Sequence, residues 1–200
     1  PVEQIQLLSK YVSSDGKAPK LNKLNDGHFK KAKQKVKNQV EDIADDLIKL
    51  YSERSQLKGV AFSADDDNQN AFDDAFPYVE TDDQLRSIEE IKRDMQDSHP
   101  MDRLLVGDVG FGKTEVAMRA AFKAVNDHKQ VVVLVPTTVL AQQHYTNFKE
   151  RFQNFAVNID VLSRFRSKKE QTETLEKLKN GQVDILIGTH RVLSKDVVFA

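Results

Sequence analysis

The sequence predicts an α/β fold, a parallel sheet with flanking helices, preceded by a long amphipathic linking helix. From residue 101 onward, short apolar runs alternate with helix-length segments, which is the pattern of parallel strands joined by helical crossovers. Over residues 26–58, apolar side chains recur at intervals of three or four, as on one face of a helix. With 39% apolar and 30% charged residues, the chain can bury a core and remain well wetted.

The composition excludes several classes of protein. A net charge of -1 excludes a wholly basic nucleic-acid coat. No apolar run approaches the roughly 20 residues that cross a bilayer, and residues 1–10 lack the order of a signal peptide, so we expect a cytoplasmic setting and no membrane partner. The chain has no cysteine and its histidines show no H-x-x-x-H spacing, so any metal should arrive with a ligand.

The first 80 residues predict a strand remnant, a helix and a loop. Residues 1–12 have a strand pattern, and the turn residues after them predict a linker. The long helix at residues 26–58 should pack its apolar stripe against another element. The acidic residues 65–70 predict a loop anchored by Phe72, Phe76 and Tyr78. The stripe consists of Ala32, Val36, Val40, Ile43, Leu47 and Leu50.

The remaining residues predict a helix followed by the α/β domain. The helix begins near Thr81 and ends at His99-Pro100. A capping-box pair, Ser167 and Glu170, predicts the start of a later helix, and Gly181 suits its C-terminal cap. Strands are predicted at residues 104–106, 131–135, 157–162 and 183–187.

The segment GDVGFGKT at residues 107–114 carries the strongest functional signal. It matches G-x-x-x-x-G-K-[ST] between a predicted strand and a predicted helix at residues 115–126. Glycines let backbone N–H groups turn toward a polyphosphate, while Lys113 would reach the β and γ phosphates and Thr114 would complete a Mg²⁺ shell. The alternative is a Gly-rich turn with a surface lysine. The nucleotide-binding residues predicted here are Asp108, Val109, Gly110, Phe111, Gly112, Lys113 and Thr114.

The sequence favours adenine over guanine as the base. The nearest string to the guanine motif N-K-x-D, at residues 22–25, lacks the aspartate. Upstream of the loop, Gln84 offers a donor and an acceptor that suit the adenine edge. Thr81-x-x-Gln84 is equally a capping box that needs no ligand, so the spacing leaves both interpretations open.

Polar residues follow three predicted strands at the carboxyl edge of the sheet, where open α/β sheets bind ligands. Their N–H, hydroxyl and cationic groups suit the phosphates of a nucleic-acid strand. Simpler roles are a helix cap at Thr138 and an exposed arginine pair balanced by Glu170. We expect His144 to lie on a helix surface or to be partly buried rather than to be catalytic. The candidate DNA contacts are Thr137, Thr138, Arg164, Arg166, Thr189 and His190.

Taken in order, these motifs resemble the first motor lobe of superfamily II DNA translocases, most closely the family of bacterial transcription-repair coupling factors. Related recombination helicases share several motifs but not the Phe111 loop or the Ser-Arg-Phe-Arg string. The resemblance covers essentially the whole chain. The matching strings are FPY and T-x-x-Q, GDVGFGKTEVAMRAAF, VLVPTTVLAQQH, SRFRSKKEQ and ILIGTH.

The resemblance implies a RecA-like P-loop lobe at residues 81–200, incomplete at its end. Residues 1–25 would be the tail of a polymerase-interacting domain with its linker, and residues 26–58 the linking helix. Residues 59–80 would form an acidic loop and aromatic anchor. Gln84 would then be the adenine-reading glutamine, and the candidate DNA contacts would touch the double-stranded DNA backbone.

Such proteins use ATP and Mg²⁺ to move on double-stranded DNA, displace a stalled RNA polymerase and recruit nucleotide excision repair. Hydrolysis also needs a carboxylate at a strand end, yet no four-residue apolar run here is followed by Asp-Glu. Asp160 and Asp184 are expected inside their strands. We therefore expect the ATP-binding half of a longer enzyme, without turnover of its own. Two alternatives stay open: a non-catalytic polymerase-docking scaffold, and the motor lobe of a related recombination DNA helicase.

Overall fold

A computed structural model describes residues 27–200, and the chain divides into two units, residues 1–54 and 55–200. The strand, turn and polymerase-interacting segment expected at residues 1–25 lie outside the described residues. The long helix is confirmed as α1, His28–Gln56. Its apolar stripe is exposed, with Val40 at 58% and Leu47 at 48%, so the packing expected for it is not found among the described residues. No described helix is both long and apolar enough to span a bilayer.

The loop predicted at residues 65–70 is instead the start of a short helix, α2, Asp67–Asp74. The Asp66 carboxylate caps it by accepting the N–H of Gln69 at 2.9 Å. Phe72 fixes the helix to the lobe because its ring is fully buried and stacks on Phe122 at 4.2 Å. One cap and one buried aromatic residue thus stabilise two turns, too short a helix for periodicity to reveal. Phe72 is an anchor as expected, whereas Tyr78 is 74% exposed.

Helix α3, Asp82–Gln96, begins where the sequence predicts, after Thr81. Its capping box is complete, since Thr81 Oγ1 accepts the N–H of Gln84 while Gln84 Oε1 accepts the N–H of Thr81. The buried face of α3 consists of Ile88, Ile91 and Met95.

Six further helices and strands follow α3: α4 Lys113–Asn126, β1 Val131–Leu134, α5 Thr138–Arg151, β2 Ile159–Leu162, α6 Lys168–Lys179 and β3 Ile185–Gly188. The three strands are parallel and form a sheet in the order β1-β3-β2. Helices α4 and α5 pack with it around the main core, to which they contribute Phe122 and Phe148. A 3₁₀ helix, His190–Leu193, follows the last strand. The predicted capping box of α6 is present, and Gly181 follows that helix at a φ of +69°.

The strand predicted at residues 104–106 is not formed. Leu104 and Val106 are 87% and 81% exposed, and only Leu105 packs, against a core cluster of α3 and α4. A strand is stabilised by the backbone groups of a neighbour, and among residues 27–200 this segment has no paired strand. Asp184 likewise lies just before β3 rather than inside it, and its carboxylate accepts the N–H of Asn158 at 2.7 Å.

Candidate nucleotide and nucleic-acid sites

The phosphate loop, residues 107–114, leads directly into α4. Gly110 and Gly112 adopt φ angles of +88° and +70°, a region where any side chain would be strained. A Cβ atom at Gly112 would also clash with the Gln84 amide, whereas one at Gly110 would meet open space. Val109 and Phe111 are 97% and 64% exposed at the tip of the loop.

The Lys113 ammonium folds back over the loop. Its Nζ atom donates hydrogen bonds to the carbonyl oxygens of Gly107 and Asp108, each at 2.6 Å. The first residues of α4 have no side-chain cap, whereas Thr81, Thr137 and Ser167 cap α3, α5 and α6. The loop therefore combines a positive charge with uncapped helix N–H groups, which is the chemistry that binds a polyphosphate.

Gln84 joins α3 to the phosphate loop. Its Oε1 atom accepts the N–H of Thr81 at 2.9 Å, and its Nε2 atom donates to the Phe111 carbonyl at 3.0 Å. The capping role of Gln84 is therefore confirmed. The same side chain also lies against the phosphate loop, as a residue that reads the adenine of a bound nucleotide would. Its adenine-reading role stays a prediction.

A buried charge cluster lies beside the first turns of α4, and sequence analysis missed it. Arg119 donates from Nε to Glu115 at 3.0 Å and from Nη2 to Glu80 at 2.5 Å. Arg151, at the end of α5, donates to both carboxylate oxygens of Glu115 at 2.8–3.0 Å. Burial opposes the charge of Arg119, but its hydrogen bonds to Glu80 and Glu115 raise its pKa, and Arg119 lowers the pKa of Glu80. We call Asp73, Glu80, Glu115, Arg119 and Arg151 the charge cluster.

Three more charged residues, Asp65, Lys92 and Lys123, extend the charge cluster. Lys123 Nζ donates to Asp65 at 2.7 Å, and Lys92 Nζ bridges Asp65 and Asp73 at 2.5 Å each. Burial alone would raise the pKa of Asp65, but its hydrogen bonds to Lys123 and Lys92 hold that pKa below its usual value. Cations of α3 and α4 thus pair with Asp65, Asp73 and Glu80 of the acidic segment at residues 65–80. The signal in the sequence that could have predicted these buried ion pairs is the spacing of four residues between Glu115, Arg119 and Lys123. The same spacing is also typical of a solvent-exposed helix face.

A cavity of about 390 Å³ lies at the carboxyl edge of the sheet. It brings together five of the six predicted DNA contacts. Sequence analysis missed the other three lining residues, Pro136, Gln171 and Arg191. Arg191 pairs with Asp196 through two hydrogen bonds at 2.7 and 2.5 Å, which raise its pKa and lower that of Asp196. The predicted residues at the cavity are Thr137, Thr138, Arg164, Thr189 and His190.

The predicted contacts differ in what they can offer a ligand. Thr137 caps α5 by accepting the N–H of Leu140 at 3.2 Å, so the cap expected at Thr138 lies one residue earlier. Thr189 is only 5% exposed, whereas Arg164 is open to solvent. Arg166 is not part of the cavity lining, because its guanidinium contacts Asp160 at 3.3 Å and Glu170 at 3.6 Å.

Comparisons with known proteins agree with this architecture. The family model described as DEAD/DEAH box helicase matches residues 81–198. The chain is 65% identical over 199 residues to the transcription-repair-coupling factor of Bacillus subtilis (strain 168), and 58% identical over 197 residues to that of Staphylococcus haemolyticus (strain JCSC1435). These matches cover 100% and 98% of the chain but only 17% of each relative.

Among solved structures, the chain is similar to RecG bound to a three-way DNA junction. The TM-score is 0.71 at 36% identity, and the match covers 76% of this chain and 21% of that one. The predicted α/β fold and the resemblance inferred from the motifs are thereby confirmed. The chain spans about a sixth of the length of the relatives cited here.

Proposed function

The chain belongs to the DEAD/DEAH box helicase family, and from that premise we propose that it is the ATP-binding half of an ATP-driven double-stranded DNA translocase. The observation that carries this proposal is the arrangement of Lys113, held over two loop carbonyls at the uncapped start of α4. A bound triphosphate would replace the two loop carbonyl oxygens as the acceptor of the Lys113 ammonium, and it would also accept hydrogen bonds from the first N–H groups of α4.

The residues present fit ATP with Mg²⁺. Gly110 and Gly112 leave the loop open to a polyphosphate, and Thr114 follows Lys113 at the position whose hydroxyl holds Mg²⁺ in such loops. Gln84 already lies against Phe111, where it could exchange one of its hydrogen bonds for the adenine edge. Thr114 would help to hold Mg²⁺, which would offset the negative charge of the phosphates.

The sheet-edge cavity is the proposed DNA site. Thr137, Thr138 and Arg164 offer hydroxyl, N–H and guanidinium groups to phosphates, which position a duplex without reading its sequence. Thr189 and His190 complete the lining. Arg166 contributes through its ion pair with Asp160, which fixes the loop after β2.

The activity of the longer protein is proposed from its relatives. We infer that it displaces a stalled RNA polymerase and couples transcription to nucleotide excision repair, with residues 1–25 as the tail of a polymerase-interacting domain and residues 26–58 as the linking helix. RNA polymerase and the repair machinery would be its partners in a cytoplasmic setting. Identity of 65% to a transcription-repair-coupling factor favours this assignment over a recombination helicase, since the likeness to RecG is at 36% identity.

Titration with labelled ATP, with and without Mg²⁺, tests the nucleotide site. We expect saturable binding that Lys113→Ala abolishes and that Lys179→Ala, at an exposed lysine in the last turn of α6, leaves unchanged. We also expect negligible turnover by the chain alone, since none of the three strands in residues 27–200 is followed by an Asp-Glu pair. Absence of a saturable signal would favour the scaffold alternative, and vigorous turnover would contradict the assignment of half an active site.

A further inference from the structure

Glu115 is a carboxylate close to the proposed phosphate site. It is the third residue of α4, two positions after Lys113, and its side chain is 9% exposed. A carboxylate in the first turn of the helix repels a bound polyphosphate, and burial reduces the screening that water would supply. This turn can accept several negative charges well only if the charge of Glu115 is balanced.

Two guanidinium groups supply that balance. Arg151 donates from Nη2 to Glu115 Oε1 at 2.8 Å and from Nε to Oε2 at 3.0 Å. Arg119, one turn further along α4, donates from Nε to Oε1 at 3.0 Å. The side chains of Arg151 and Arg119 are 9% and 4% exposed, so these charge-assisted bonds are shielded from solvent.

The two arginines differ in what else they hold. Arg119 is shared with Glu80 at 2.5 Å and Asp73 at 3.7 Å. Arg151 pairs with no carboxylate other than Glu115 in the described part of the chain. Its other contacts are with neutral groups: a hydrogen bond to the Phe72 carbonyl at 2.8 Å, and the faces of the Phe72 and Phe76 rings at 4.0 and 5.7 Å. Among residues 27–200, Glu115 is therefore the one carboxylate with which the Arg151 guanidinium forms an ion pair, although the charge of Arg151 also helps to lower the pKa of Glu80.

We propose that Arg151 is a positioning residue for nucleotide binding, which neutralises Glu115 so that the first turn of α4 can accept the phosphates. The inference rests on the proposed ATP site. It also predicts whether each substitution strengthens or weakens nucleotide binding. If the pair were only structural, removing either partner would weaken binding, whereas neutralisation predicts opposite effects for the two partners.

The test compares Arg151→Met, Glu115→Gln and the double variant in the full 200-residue chain. Dissociation constants for ATP and for inorganic tripolyphosphate are measured by calorimetry at low and moderate salt. We expect Arg151→Met to weaken both ligands about tenfold and Glu115→Gln to tighten both about threefold, with the double variant within about twofold of the wild type. Tripolyphosphate separates this effect from any on the adenine site, and all shifts should shrink as salt rises.

Glu173→Gln and Lys177→Met are the matched controls, because they make the same charge changes in an exposed pair on α6 and should leave both constants unchanged. Weaker binding by Glu115→Gln would overturn the proposal and assign the pair a structural role. If thermal melting shows that Arg151→Met does not fold, Glu115→Gln decides alone, since only neutralisation predicts tighter binding. If the wild type binds neither ligand, the proposed ATP site fails and this inference with it; if it binds both and the variants equal it, only the inference fails.

Discussion

The Gln84 amide donates from Nε2 to the carbonyl oxygen of Phe111 at 3.0 Å, so the first turn of α3 holds the tip of the phosphate loop. Its other end, Oε1, accepts the N–H of Thr81. One side chain therefore caps a helix and restrains the loop that should take the phosphates.

The two functions of the Gln84 side chain can be separated by substitution. Gln84→Glu keeps an acceptor for Thr81 but replaces the donor to Phe111 with a carboxylate oxygen, so we expect the helix cap to persist and nucleotide affinity to fall about tenfold. Gln84→Ala should lose both the hydrogen bond to Thr81 and the hydrogen bond to Phe111. Circular dichroism melting reports the cap, and calorimetric titration with ATP reports the loop. Equal ATP affinity in Gln84→Glu and wild type would contradict the loop contact.

Gly112 and Gly110 provide a matched pair within the loop. Both have positive φ, but only at Gly112 would a Cβ clash with the Gln84 amide. We expect Gly110→Ala to cost about 1 kcal/mol of strain, and Gly112→Ala to lose ATP binding as well, because the Gln84 side chain must move. Titration of both variants with ATP checks this expectation. Indistinguishable affinities would show that the clash is relieved without cost.

Phe72 is the residue by which α2 is fixed to the lobe. Its ring is fully buried, stacks on Phe122 at 4.2 Å and contacts Phe152 at 4.7 Å. Phe72→Ala should lower the free energy of unfolding by about 3–5 kcal/mol, because it empties a closed aromatic cluster. Phe165→Ala, at a ring that is 63% exposed, should change it by less than about 0.5 kcal/mol. Urea unfolding of the two variants measures both, and similar midpoints would refute the packing argument.

Most of this fold and part of the candidate site are predictable from the sequence. Residues 104–106 and β1 have similar apolar patterns, yet only β1 is a strand, because strand formation depends on a neighbour that a local pattern does not reveal. Arg164 and Arg166 flank the same phenylalanine, but Asp160 draws Arg166 away from the cavity. The missing strand and the charge cluster depend on contacts between residues distant in sequence, whereas Asp160 and Arg166 are only six residues apart and their pairing depends on how the loop after β2 turns back.

Acid should weaken the attachment of the acidic segment. The pKa of Asp65 lies below its ordinary value in the folded chain, through Lys123 and Lys92, so its ion pairs stabilise the fold above the unfolded-state pKa. That stabilisation is lost as the pH falls through the folded-state pKa. The melting temperature should therefore fall below about pH 5, and less steeply in Asp65→Asn, which has no such carboxylate to protonate. Parallel pH profiles for the two proteins would exclude Asp65 as a contributor.

The two arginines after β2 should act differently on DNA. Arg164 lines the sheet-edge cavity and is open to solvent, whereas the Arg166 guanidinium is engaged by Asp160 at 3.3 Å. Arg164→Ala should weaken binding to duplex DNA and reduce the salt dependence of log K by about one unit, because one phosphate contact is lost. Arg166→Ala should leave that slope unchanged and instead lower the melting temperature, since Asp160 then keeps its hydrogen bond from Thr174 but loses its ion pair with Arg166. Surface plasmon resonance against one duplex at several salt concentrations, with melting curves for both variants, makes the comparison. If Arg166→Ala reduces the salt dependence of log K and Arg164→Ala does not, Arg166 rather than Arg164 contacts the phosphate. That result would overturn the assignment of the cavity as the DNA site.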